Sequence, residues 1–338
     1  MILVTGGTGL TGSHLLFELA QQGNKIRATK RKDSSIDFVR KVFSIYTSSP
    51  ESLLNQIDWV DVDLLDFSSL LEATKGIDTV YHTAAIVSFN PKDSFSIIET
   101  NVKGTANVVD ACIQNNVNTL CHVSSIAALG DSNEKGVVDE SCSWTKTKGK
   151  SAYAKSKFFG EMEVWRGAEN GLRVIIVNPS VILGPGRWDS GSGQLFGRIA
   201  KGMPAYTSGI TGYVDVRDVA KTMVLLTQQN SIKNERFILN SENLSYKDIF
   251  SLIAIELRKK TPFFEIKPWL INFAYPLIKF FGTIAGKGAV ISKENTKSAF
   301  AKTHYTSNKI KNQIGYTFIP IPEAVKFIGD VFINKKLS

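Results

Sequence analysis

A chain of 338 residues with 43% hydrophobic and 21% charged residues has the balance of a folded globular protein and excludes a disordered one. The formal charge of +9 is unevenly placed, because from Glu256 onward 14 Lys/Arg face 5 Asp/Glu; these lysines are scattered and no nucleic-acid motif accompanies them, so nucleic acid is not expected as a partner. Three cysteines without a C-x-x-C and four histidines without H-E-x-x-H indicate neither a disulfide framework nor a metal site, and fit a reduced, cytoplasmic setting.

The apolar run MILV leads straight into glycines, without the basic start or cleavage site of a signal peptide. MILVT, KIRAT, IDWVDV, DTVYHTA and NTLCHVS read as strands, each bounded by polar or glycine signals. Between them LTGSHLLFELAQQG, SSLLEATKG and SFSIIETNVKGTANVVDACIQNN carry helical periodicity. In the last, Ile97, Ile98, Val102, Ala106, Val109 and Ile113 recur at spacings of three and four, which predicts one apolar face. A further helix opens near Ser151, and LRVIIVNPS (172–180) is a sixth strand. Val/Ile-rich strands alternating with helices predict an α/β fold, a Rossmann doubly wound parallel sheet covered on both faces.

VILGPGRWDSGSGQLFG then reads as a loop reaching over a site, before GYVDVRDVAKTMVLL and ERFILN return to strand and helix. From Leu244 the chain reads as successive helices with aromatic faces. WLINFAYPLIKFFGTIAG (269–286) is broken by Asn272, Pro276 and Lys279, too short an apolar run for a membrane span. Its Trp269, Phe273, Pro276, Leu277, Phe280, Phe281 and Ile284 suit ordinary core first, and otherwise a lipophilic pocket or an element dipping into a membrane surface. The expected plan is a dinucleotide-binding domain of 1–178 with 213–240, and a smaller, mostly helical substrate-binding domain of 179–212 with 241–338.

The first strand runs into TGGTGLTG, so Thr5, Gly6, Gly9, Leu10, Thr11 and Gly12 are candidates to hold a pyrophosphate. Both G-x-G-x-x-G and G-x-x-G-x-x-G are met, after a strand and at the opening of a helix. Glycines there allow a tight turn and close backbone approach, and the helix that follows points its N-terminal amides at the phosphates. At the end of the second strand, Lys30, Arg31 and Lys32 stand where an acidic residue would favour NAD(H). Cations there grip the extra 2′-phosphate of NADP(H), which is the preferred cofactor, with NAD(H) the alternative.

In SAYAKSKFFGE, Tyr153 and Lys157 are four residues apart and share a helix face, whereas Lys155 points elsewhere. A phenol has a reference pKa of about 10, and a cation nearby lowers it, which turns a tyrosine into a usable acid/base.

TGGTGLTG, VSS before a loop, YAKSK on a helix and NPS after a strand, in this order, resemble the extended short-chain dehydrogenase/reductase family, the NAD(P)-dependent epimerase/dehydratase group. The resemblance implies Tyr153 and Lys157 as catalytic residues and places the catalytic serine on the pair Ser124–Ser125. The distance to Gly130 favours Ser125, with Ser124 the alternative. It further assigns Asp63 and Leu64 to the adenine pocket, and Thr83, Ala84 and Ala85 to the cofactor wall. Asn101 matches the family's buried asparagine, and Asn178, Pro179 and Ser180 fall on the nicotinamide side. A homodimer through two long helices, one bearing Tyr153, is also implied.

Within the family the chain is most similar to the dihydroflavonol-reductase-like and 3β-hydroxysteroid-dehydrogenase-like branches. These imply an NADP(H)-dependent reduction of a ketone or aldehyde, or the reverse oxidation. A nucleotide-sugar epimerase is the runner-up, weakened because the tail beyond Glu256 offers only Arg258 for a diphosphate. A non-catalytic dinucleotide-sensing scaffold would be expected to have lost Tyr153 or Lys157. Substrate specificity is expected from 89–95, 187–196 and the C-terminal helices.

Overall fold

The computed structural model describes residues 1–88, 90–134, 136–270 and 293–334. Seven parallel strands form the central sheet: β1 (Ile2–Thr5), β2 (Ile26–Lys30), β3 (Ile57–Asp61), β4 (Thr79–His82), β5 (Thr119–Val123), β6 (Arg173–Pro179) and β7 (Glu235–Leu239). Their spatial order is β7-β6-β5-β4-β1-β2-β3. The order reverses between β1 and β4, which opens a crevice at the carboxyl ends of those strands.

Both faces of the sheet are buried, which explains its apolar strands. Along β1, Leu3 enters the core with Val80, Val108, Leu120 and Val164, while Val4 enters the opposite core with Leu15, Leu16 and Val219. Adjacent residues point to opposite faces, so both must be apolar. Helix α1 (Leu10–Gln21) and the Val216–Gln228 helix cover the second face. Helices α2 (Gly104–Gln114) and α3 (Ala152–Glu169) cover the first.

The long helical segment before β5 departs from its expected face. It runs as Ser94–Ile98, a π-helical turn Glu99–Lys103, and then α2. The buried positions are Ile97, Asn101, Gly104, Thr105, Val108, Val109, Ala111 and Cys112, while Ile98 is exposed. The wider π turn rotates the face by about one residue, so Asn101 rather than Val102 turns inward.

The segment between β2 and β3 folds as two helices, Asp37–Tyr46 and Pro50–Leu54; Val39, Val42 and Phe43 are buried. The Gly-rich stretch after β6 is only partly a loop, since it contains the strand Val181–Leu183 and the helix Gly193–Ala200. That strand pairs with Ile210–Asp215, which pairs with Glu242–Ser245, a small second sheet. Behind it Phe196, Ile199, Tyr213, Ile249, Ile253, Ile321 and Ile328 form a third core. Trp269 is exposed, as are Phe263 and Phe264. The remainder of the aromatic run, Phe273 to Ile284, lies outside the described residues. Among the described residues no helix is long and apolar enough to cross a membrane.

Candidate active site

The glycine loop turns tightly, with the Gly9 amide donating to the Gly6 carbonyl at 2.9 Å. Gly6 has φ +72°, and a Cβ there would come within 2.7 Å of the Ala84 backbone. A Cβ on Gly12 would sit 2.1 Å from the Gly6 oxygen. Leu10 and Thr11 open α1, whose N-cap is Gly9 without a side-chain cap or an acidic residue in the first turn. The first-turn amides are thus left for an anion, and the cradle fits the pyrophosphate of a dinucleotide. Thr5 is buried with its hydroxyl against His82 Nδ1 at 2.7 Å, and the Thr83 hydroxyl donates to the Thr5 carbonyl at 2.7 Å. Thr83, Ala84 and Ala85 follow β4 directly and so flank the crevice opposite the loop.

The basic strand end is less uniform than its sequence. Lys30 is the last residue of β2 and pairs with Asp61 at the end of β3. Arg31 stands 3.8 Å from Asp33 with both side chains exposed, and Lys32 is exposed. Further along that edge, Asp63 is exposed and accepts the Leu65 amide, while Leu64 packs on Gly104 and its carbonyl accepts Asn107 Nδ2.

Ser151 caps α3 by accepting the Ala154 amide at 3.1 Å, which sets Tyr153 in the first turn and Lys157 one turn on. The tyrosine hydroxyl hydrogen-bonds Ser125, whose own oxygen caps the 3-10 turn Ile126–Ala128 by accepting the Ala127 amide. Ser124 points away from that pair: its hydroxyl donates to Glu161 at 2.6 Å. The two serines, equivalent in the sequence, are therefore separated by the geometry.

Lys157 is buried and its ammonium donates to the Val123 carbonyl at 3.0 Å. Burial lowers its pKa to about 8, opposed by the Glu161 carboxylate. Burial raises the Tyr153 pKa, opposed by the Ser125 hydrogen bond. In this arrangement the expected lowering of the phenol by Lys157 gives way to desolvation.

Asn101 is buried in the π turn; its amide accepts from Ile86 N at 2.7 Å and donates to Ile86 O and to Ser156. It thereby fixes the chain leaving β4. Asn178 donates to the Ser125 carbonyl at 3.1 Å and to Glu161 at 2.8 Å. Pro179 is buried, and the Ser180 hydroxyl is engaged with the Leu239 carbonyl at 3.1 Å.

Three buried groups near this site have no role assigned by motif. Glu161 lies four residues beyond Lys157, a spacing that could have drawn notice; its partner Arg236 comes from β7 and carries no local signal. The rings of His82 and His122 lie 5.1 Å apart, tilted by 31°, within electrostatic reach of Lys157, and both are held neutral by burial. Of the expected specificity segments, Phe89 lies outside the described residues and Phe95 is exposed. Arg187 stands over Phe38, and Trp188 packs on Phe196 and Phe332.

The family model described as NAD dependent epimerase/dehydratase family matches residues 2–240. A Synechocystis protein provisionally named dihydroflavonol 4-reductase is 30% identical over 331 residues, covering 95% of this chain and 91% of its own length. Cinnamoyl-CoA reductase 1 of Petunia hybrida is 30% identical over 267 residues, covering 75% of this chain and 76% of its own. Among solved structures, that of gox2253 has a TM-score of 0.82 at 28% identity, covering 99% of this chain and 98% of its own. The NAD complex of Thermus thermophilus UDP-glucose 4-epimerase superposes with a TM-score of 0.74 at 20% identity, 98% of each chain covered, a likeness of fold. The glycine cradle at the β1/β4 crevice and the match over most of the chain place this protein in the NAD dependent epimerase/dehydratase family, the extended short-chain dehydrogenases/reductases, with an NAD(P)-binding Rossmann fold.

Proposed function

We propose that the protein is an NADP(H)-dependent reductase of a ketone or aldehyde, equally an alcohol dehydrogenase in reverse. The observation that carries this is the half-buried Tyr153 facing Ser125, one helical turn from buried Lys157, at the carboxyl edge of the sheet that also holds the glycine cradle. The glycine cradle of Gly6, Gly9 and Gly12 would hold NADPH, which when bound would supply a hydride for the carbonyl carbon. Tyr153, whose burial keeps the phenol protonated, donates its proton to the carbonyl oxygen as charge develops there. Ser125 donates a hydrogen bond to the same oxygen, and Lys157 provides a positive charge in a desolvated setting. The names of the dihydroflavonol and cinnamoyl-CoA reductases support the reductase reading.

Arg31 supports the preference for NADP(H), since its partner Asp33 is exposed at 3.8 Å. We read 1–178 with 213–240 as the dinucleotide-binding part and the remainder as the substrate-binding part. Exposed Phe95 and Ile98, on the helix packed against α3, join exposed Phe159 and Met162 of α3 in a face that suits a homodimer.

The test is a panel of steroid, flavonoid-like and aldehyde carbonyls followed by NADPH oxidation, with Tyr153→Phe in parallel. Turnover is expected to fall roughly 100- to 10,000-fold in the variant. Unchanged turnover in Tyr153→Phe would refute the acid/base role, and interconversion of a nucleotide sugar with retained NAD would refute the reductase reading.

A further inference from the structure

Glu161 is buried at 3% exposure, yet neither the glycine loop nor the Ser–Tyr–Lys group uses it directly. Its Oε2 accepts the Ser124 hydroxyl at 2.6 Å and Asn178 Nδ2 at 2.8 Å, and its Oε1 accepts Arg236 Nη1 at 3.0 Å. Arg236 is itself pinned, donating to the Glu140 and Cys142 carbonyls at 2.8 and 3.1 Å. Ser124 follows β5 directly, Asn178 belongs to β6 and Arg236 to β7, so one carboxylate ties the ends of three neighbouring strands to α3.

A desolvated ion pair contributes little net stability, because desolvation offsets the attraction, and apolar side chains would hold α3 as well. What apolar packing would not supply is direction. Asn178 passes the constraint on, donating to the carbonyl of Ser125, the residue whose hydroxyl meets Tyr153. We propose that Glu161 is the positioning residue of this site: it locks Ser124 and Asn178, and through them Ser125, against the helix that carries Tyr153, and sets a negative charge one helical turn from the Lys157 ammonium.

The surroundings of Lys157 make that charge matter. From β5 it faces the Val123 carbonyl and His122, from β4 His82, and on its own helix Tyr153 and Glu161, with Arg236 of β7 beyond. Both histidines are neutral and repel the ammonium's charge if protonated, so neither sustains it. Glu161 is the group that opposes the burial of Lys157.

The catalytic meaning of this inference rests on the reductase reading, but its first test does not. Lysine labelled with ¹³C at Cε reports the Lys157 titration by NMR in the full chain, with Lys157→Arg identifying the signal. In Glu161→Gln the Lys157 midpoint is expected to fall by roughly one pH unit. In Arg236→Gln it is expected to stay or rise, since a competing cation is removed. Glu161→Gln/Arg236→Gln, which buries no unpaired charge, serves if either single variant fails to fold, and a fall is expected there too. The alkaline limb of NADPH-dependent turnover is expected to move with the NMR midpoint. A midpoint unmoved in both Glu161→Gln and the double variant, with turnover lowered equally at every pH, would reduce Glu161 to a structural residue and overturn the proposal. A shifted midpoint in a protein whose wild type reduces no carbonyl would instead overturn the reductase reading and leave the positioning role standing.

Discussion

Gly12→Ala and Gly9→Ala separate the structural from the ligand-binding demands of the glycine loop. A methyl group on Gly12 would meet the Gly6 oxygen at 2.1 Å, its carbonyl carbon at 2.8 Å and Thr83 Oγ1 at 2.9 Å. None of these can move cheaply. The Gly6 oxygen accepts the Gly9 amide, and the Thr83 hydroxyl is tied to the Thr5 carbonyl. Overpacking of this kind costs about 3 kcal/mol or more when the neighbours are fixed backbone. A melting-point loss of about 4 °C or more is the corresponding effect in a chain of 338 residues. Gly9 differs, because its Cβ would meet only the Gly6 oxygen at 3.3 Å and its φ of −85° suits any residue. Gly9→Ala should therefore melt close to wild type yet bind cofactor several-fold more weakly, since the methyl intrudes where backbone must approach the pyrophosphate. Thermal unfolding and a fluorescence titration with NADPH read the two effects apart. A Gly12→Ala protein that melts with wild type, or a Gly9→Ala protein that binds NADPH as wild type does, would refute this account of the cradle.

Acid should weaken the fold through the buried histidines. Burial depresses His14 to about 4 and His82 to about 3, so the stability they contribute is present above the ordinary value near 6.5 and lost as pH falls below it. Each is expected to forfeit about 2 kcal/mol between pH 7 and pH 5; a melting temperature flat over that interval would contradict their burial as neutral rings. If the proposed homodimer forms through the exposed face of α3, Phe159→Glu is expected to halve the sedimenting mass, and a dimeric mass left unaltered would rule that face out as the contact. Arg31→Ala should weaken NADPH at least tenfold while sparing NADH, whereas Lys30→Ala, whose charge is already matched by Asp61, should have the smaller effect on NADPH. Equal losses for both cofactors would sink the clamp.

The sheet was legible because parallel strands buried on both faces must be apolar at consecutive positions, and MILVT, NTLCHVS and LRVIIVNPS carry that imprint. The glycine loop was legible for a similar reason, since close backbone approach leaves one residue type that fits. What resisted reading depends on residues distant in sequence or on a local change of helical pitch. The π turn at Glu99–Lys103 moves the buried face from Val102 to Asn101 without altering composition. Lys30 reads as one of three equal cations until β3 brings Asp61 beside it, 31 residues away. Arg236 reads as a polar residue of an ordinary strand until the fold sets it on Glu161. Ser124 and Ser125 are indistinguishable by type and adjacent in position; alternation along the strand end turns one to Glu161 and the other to Tyr153.

Burial acts in opposite senses on the two titrating groups of the site, and the difference suits the proposed reductive step. It raises the Tyr153 phenol, which keeps its proton at neutral pH, and lowers the Lys157 ammonium to about 8, which stays charged there with help from Glu161. A protonated phenol with a cation on the same helix is the state the proposed reduction needs, since in that reading the proton leaves Tyr153 as negative charge appears on the carbonyl oxygen. Oxidation needs the reverse, a phenolate, which desolvation disfavours. Lys157 loses its charge as pH rises through 8, so reduction should fade on the alkaline side before the phenol itself ionises. Were Lys157 drawn from the Val123 carbonyl toward the phenol, the same cation would lower the Tyr153 pKa and ease the oxidative direction. In the proposed mechanism the position of one ammonium group between a backbone carbonyl and a phenol would set the pH range over which the reductive step runs.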